Sequence, residues 1–278
     1  MGFLFKNNDF RTDYKKRPFD GYKSVVDKLD EETKRKLDHQ RTIGMMVIVA
    51  FVVLLVVILA VTGIGVDKTK SVSGNVFADK ETVLIECFGD SLTEGILAGE
   101  GTAAAEVTYP EELKEMLPRL IQEDDRQYRF RTLEVKNYGQ AGSVLQENSS
   151  SRLSGQADIV LILYTANNFV QGTSYENVLE TNIGAIRKQG AQVFLLNYPI
   201  EAGSEWEAKI EQANHYIASV AESQEVPLID LETYFATLTE EEQEDLFGAD
   251  GLHLTAEGYR IMGDQTAEFL HEYYYEMN

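Results

Sequence analysis

The sequence predicts an α/β domain, a parallel sheet with helices on both faces, joined to a membrane by one apolar segment. Three observations carry this. From residue 82 onward, strand-like and helical runs alternate, the pattern of βαβ units. Several strand-like runs are continuously apolar and β-branched, as strands buried on both faces are. Residues 43–66 form a stretch of 24 without a single charge, and a helix needs about 20 apolar residues to cross a bilayer.

Taken in order, residues 1–42 read as a polar cytoplasmic tail and residues 43–66 as a transmembrane helix. The apolar run is longer than the roughly 7–15 residues of a cleaved signal peptide, so an uncleaved signal anchor is expected. Small residues at 60–65 leave cleavage open. Lys34, Arg35, Lys36 and Arg41 precede the span, and only Lys68 and Lys70 closely follow it. By the positive-inside rule the N-terminus is cytoplasmic and the rest lies outside the cell membrane. The span has no Gly-x-x-x-Gly pattern, so it gives no reason to expect a dimer. Residues 67–81 read as a stalk and 82–278 as the working domain. Strands are expected at 82–88, 131–137, 158–164, 191–197 and 226–230. Helices are expected near 110–123, 174–189, 204–223 and 255–275. A capping box, Thr239 with Glu242, opens a further short acidic helix over 240–246.

The chain has 278 residues, with 46 acidic and 25 basic side chains and a formal charge of −21. The charge is uneven: residues 1–41 sum to +3 and the remainder to −24. An acidic domain of this kind excludes nucleic acid as a partner, which calls for basic patches. The one cysteine, Cys87, permits no intrachain disulfide and reads as a small apolar residue in the first strand.

Chemistry concentrates at the carboxyl ends of the expected strands, where open α/β sheets build their sites. Gly89-Asp90-Ser91-Leu92-Thr93-Glu94-Gly95 follows the first strand. Asn137-Tyr138-Gly139-Gln140-Ala141-Gly142-Ser143 follows the second and offers backbone N–H groups. Thr165-Ala166-Asn167-Asn168 follows the third and offers a side-chain amide. Asp250-Gly251-Leu252-His253 precedes the last helix. A serine is a weak nucleophile without an adjacent base. Of the four histidines, His39 lies before the span, and His215 and His271 sit within helical patterns. His253 is left as the base for Ser91, with Asp250 to hold its ring. Glu240, Glu241 and Glu244 would favour the protonated ring if they lay close. No set of residues has the spacing of a metal site, and no cofactor is expected.

These four blocks, in this order, resemble the GDSL esterase/lipase family, also called SGNH hydrolases, over residues 82–275. The resemblance implies a flavodoxin-like three-layer α/β/α sandwich. It implies Ser91 as nucleophile, Asp250 and His253 as its partners, and an oxyanion hole of Ser91 N–H, Gly142 N–H and the Asn167 amide. The third block departs from the family's Gly-x-Asn-Asp: Thr165 replaces the glycine and Asn168 the aspartate. The expected activity is extracytoplasmic ester hydrolysis on a small molecule, lipid or envelope glycan. The alternatives are O-acyl transfer to glycan and a catalytically silent binding domain.

Overall fold

Five parallel strands form where the sequence runs apolar. They are β1 Thr82–Gly89, β2 Thr132–Gly139, β3 Ile159–Leu163, β4 Gln192–Leu196 and β5 Leu228–Ile229, in the spatial order β2-β1-β3-β4-β5. The computed structural model describes residues 74–97, 107–123, 128–165, 167–168, 175–243 and 245–277. The expected tail (1–42) and membrane helix (43–66) lie outside these. Among the described residues no helix is long and apolar enough to cross a membrane.

The described helices are α1 Val76–Asp79, α2 Ser91–Glu94, α3 Tyr109–Glu123, α4 Glu176–Lys188, α5 Glu207–Ser223, α6 Leu231–Thr237, α7 Glu240–Gln243 and α8 Ala256–Glu276. Alternate strand residues face opposite layers. Val83, Ile85, Cys87, Leu161 and Leu196 pack with Leu113 and Leu117 of α3 and Met262 and Leu270 of α8. Phe88, Val160, Ile162, Val193 and Leu195 pack with Leu179 and Ile183 of α4 and Ile217 and Val220 of α5. The result is the three-layer α/β/α sandwich. Its strand order reverses between β1 and β3, and ligands bind at such a switch point in open α/β sheets. Cys87 is fully buried, and burial pushes its thiol well above the ordinary range.

Two expectations need correction. The fifth strand, expected over 226–230, is reduced to two residues, because Pro227 has no N–H to give the ladder. The stretch read as a stalk is folded over its last part. Asn75 caps α1 through the N–H groups of Phe77 and Ala78, and its side-chain amide donates to Tyr274 O at 2.8 Å. Phe77 is buried between Phe130 and Tyr274, in edge-on contact with both rings. The polar composition of this stretch hides one aromatic anchor whose partners stand far along the chain.

Replacing Phe77 by Ala is expected to destabilise the domain by about 3 to 5 kcal/mol, as emptying a buried aromatic site does. The urea midpoint reads this. An unchanged midpoint would return the segment to a stalk.

Candidate active site

The turn from β1 into α2 builds the first wall of the site. Asp90 is the N-cap of α2, and its Oδ1 accepts the Leu92 N–H at 3.0 Å. Its Oδ2 accepts the Thr165 N–H at 3.2 Å, just past β3. Burial pushes the Asp90 carboxyl up to about 6, against those two N–H bonds and the charge of His253. Ser91 follows as the first residue of α2. Its N–H is one of the amides that a helix start leaves without an intrahelical acceptor.

The structure places the Ser91 hydroxyl 2.9 Å from His253 Nε2. His253 Nδ1 stands 2.8 Å from Asp250 Oδ2. A carboxylate only accepts, so Nδ1 carries the proton and Nε2 is free to accept from Ser91. The other Asp250 oxygen takes the backbone N–H groups of Leu252, at 3.0 Å, and His253, at 2.9 Å. Partial burial raises the Asp250 carboxyl, but the His253 ring and these two N–H groups outweigh it and hold it below its usual value. The loop itself is pinned. Tyr198, just past β4, donates to Leu252 O at 2.8 Å, and the Gly248 N–H donates to His253 O at 2.8 Å.

The loop after β2 forms the second wall. Gly139 lets it approach α2: a Cβ there would lie 2.0 Å from Glu94 N. Asn137 donates to Thr93 O at 2.8 Å, and the Glu94 carboxylate accepts the Ala141 N–H. Gly142 then turns in the left-handed region, at φ +70°, which glycine adopts without strain. Its N–H has no acceptor among the described residues. Asn167 donates through Nδ2 to Ser143 O at 3.2 Å, which sets its amide beside the same loop.

Asn168 is the residue that sequence reasoning undervalued. It is fully buried and grips Leu145 from both sides, accepting its N–H and donating to its C=O, each at 3.0 Å. The family's aspartate at this position would accept but, when ionised, not donate. The departure in the third block therefore acts on the loop that carries Gly142. Thr165 contributes its backbone N–H to Asp90, which needs no glycine. Glu94, through the Ala141 N–H, ties α2 to the same loop. Glu94 lies three residues after Ser91, on the next turn of the chain, which was its available signal in the sequence.

His215 is exposed on α5, and His271 lies on α8. The Thr239–Glu242 capping box forms, with both the Thr239 N–H and Oγ 2.8 Å from the Glu242 carboxylate. The helix it opens is shorter than expected, Glu240–Gln243. The side chains of Glu240, Glu241 and Glu244 lie outside the described residues, as do His39 and Ala166. Among the described residues no three His, Cys, Asp or Glu side chains come together as a metal site.

Comparison with known proteins agrees with this architecture. The model of the GDSL-like lipase/acylhydrolase family matches residues 87–261, from β1 into α8. No curated protein matches the sequence. The fold is similar to that of a lipase/acylhydrolase from Enterococcus faecalis, at 23% identity and a TM-score of 0.55, covering 69% of this chain and 96% of that one. It is also similar to an acetyl xylan esterase from Geobacillus stearothermophilus, at 15% identity and a TM-score of 0.51, covering 68% of this chain and 94% of that one.

Substituting Asn168 by Asp puts a carboxylate against Leu145 O and loosens the loop bearing Gly142. If the Gly142 N–H serves as an oxyanion donor, the loss of which costs about 10²–10³ in kcat, a fall in kcat of about tenfold to a hundredfold is expected, with KM little changed. A change in KM alone would contradict this placement.

Proposed function

Since this chain belongs to the GDSL-like lipase/acylhydrolase family, we propose that it is a serine ester hydrolase working through Ser91, His253 and Asp250. The observation that carries this is the unbroken line of contacts, 2.8 Å from Asp250 to His253 and 2.9 Å from His253 to Ser91. Ser91 Oγ attacks the ester carbonyl carbon and its proton passes to His253 Nε2. Asp250 keeps the ring in the right tautomer and stabilises the imidazolium. The carbonyl oxygen, now an oxyanion, is held by the N–H groups of Ser91 and Gly142 and by Asn167 Nδ2. The C–O bond to the alcohol breaks as His253 returns the proton to the leaving oxygen. Water then gives a proton to His253 and attacks the acyl-enzyme, which releases the acid and restores Ser91.

The substrate we propose is a short-acyl ester, such as an acetyl ester, of a polar hydroxyl-rich alcohol. A groove of about 400 Å³ runs from Gly142 past Ser143 and Asn148 to Arg152. Val144 is the one apolar side chain among its described lining residues. Such a lining offers hydroxyls and amides to a saccharide and little to an acyl chain. The uncharged stretch at 43–66 and its basic N-terminal flank support a domain displayed outside the membrane on a single anchor. The substrate is then an envelope or environmental glycan.

The test is hydrolysis of p-nitrophenyl acetate, butyrate and octanoate by the purified full-length chain. Acetate is expected to be the best of the three, and Ser91→Ala to cut turnover by about 10⁴-fold or more. Turnover independent of Ser91 would overturn the assignment. Acyl product on an added saccharide, rather than free acid, would make the enzyme a transferase.

A further inference from the structure

We infer that Arg152 is the anchoring point for an anionic group, a carboxylate or a phosphate, carried by the alcohol part of the substrate. This rests on the reading of the site given above. Arg152 closes the 3₁₀ turn Ser149–Arg152 and lines the groove that begins at Gly142. Its guanidinium lies 5.1 Å from the centre of the Phe88 ring, on the β1 strand that leads into Ser91. It donates to Gln140 Oε1 and to the Tyr164 hydroxyl. These contacts hold it in place at the catalytic edge of the sheet, since Tyr164 directly precedes Thr165.

Its partners among the described residues are all neutral. Burial pushes the Tyr164 phenol up to about 12, against the guanidinium and Ser143, so it remains a hydroxyl at neutral pH and supplies no counter-charge. Arg119, Arg129 and Arg260 each pair with a glutamate. No ion pair among the described residues involves Arg152. In a chain of net charge −21, acidic partners are abundant, yet this oriented cation pairs with none of those described. A guanidinium presents a rigid planar fork of donors suited to a carboxylate or phosphate. Two of its donors are used on Gln140 and Tyr164, and no acceptor for the rest stands among the described residues, which leaves them for a ligand in the groove. The long-range field of the acidic domain repels polyanions, but at contact distance the nearest charge dominates, because salt screens the rest over about 8–10 Å.

The test compares charged and neutral partners of the same shape. Dissociation constants are measured by ligand-observed NMR on the full-length chain for methyl glucuronoside against methyl glucoside, and for glycerol phosphate against glycerol. At least one anionic probe is expected to bind about tenfold more tightly than its neutral partner, as a charge-assisted bond provides, and to lose that advantage in high salt. The pair that separates more widely identifies the anion as the carboxylate of a sugar or as a phosphate. R152Q is expected to bring the anionic probe level with the neutral one. R152K, which restores charge without the fork, is expected to recover part of the gap. Equal binding within both pairs in the wild type, or a gap that survives R152Q, would overturn the proposal. Turnover of p-nitrophenyl acetate is read separately, so failure of the esterase reading and failure of the anion site are told apart.

Discussion

The buried carboxylate of Asp90 is the constraint on which the rest of the site depends. It stands where the strand order reverses, and its two oxygens take N–H groups from Leu92 and Thr165, at the ends of different strands. Burying such a group without partners is expensive, and the rise of its carboxyl to about 6 reports that burial. Neither amide can move without exposing the cost. Ser91 lies between Asp90 and Leu92, and Asn167 lies two residues past Thr165. One carboxylate thereby sets the spacing between Ser91 and Asn167. The Glu94–Ala141 and Asn137–Thr93 bonds do the same between α2 and the loop of Gly142.

The site is therefore built on short-range satisfaction of polar groups, in a domain whose overall charge works against anions. Asp250, His253 and Arg152 have different local surroundings. Asp250 is held low by three donors from its own loop. Arg152 is positioned by an aromatic face and two neutral acceptors. The net negative charge of the chain acts at longer range, where salt screens it. Gly142 and Arg152 line one groove, at opposite ends of the loop and turn that follow β2.

Much of this was legible in the sequence, and the exceptions have physical causes. The strands β1, β3 and β4 announce themselves because both their faces are buried, so no polar residue interrupts Val160-Leu161-Ile162 or Val193-Phe194-Leu195. Ser91, Asp250 and His253 stand out because each follows a strand-like segment or precedes a helix, at the edge where such groups meet. Phe77 was hidden because its partners, Phe130 and Tyr274, lie far off in sequence and its neighbours are polar. Asn168 was visible only as a departure from a pattern. Its meaning depends on Leu145, 23 residues away, which no local rule connects to it. Arg152 follows three serines and reads as a solvated side chain until Phe88 and Tyr164 are seen to enclose it. The start of β5 was placed too early because apolar character at Val226 outweighed the missing donor of Pro227.

The most direct test of the account is whether Ser91 alone is activated as a nucleophile. The full-length chain is treated with a fluorophosphonate, which phosphonylates an activated serine whatever the natural substrate, and the product is mapped by peptide mass spectrometry. The account predicts one adduct, on Ser91, lost in Ser91→Ala and strongly slowed in His253→Ala. An unlabelled folded protein, or an adduct on another serine that persists in Ser91→Ala, would contradict it.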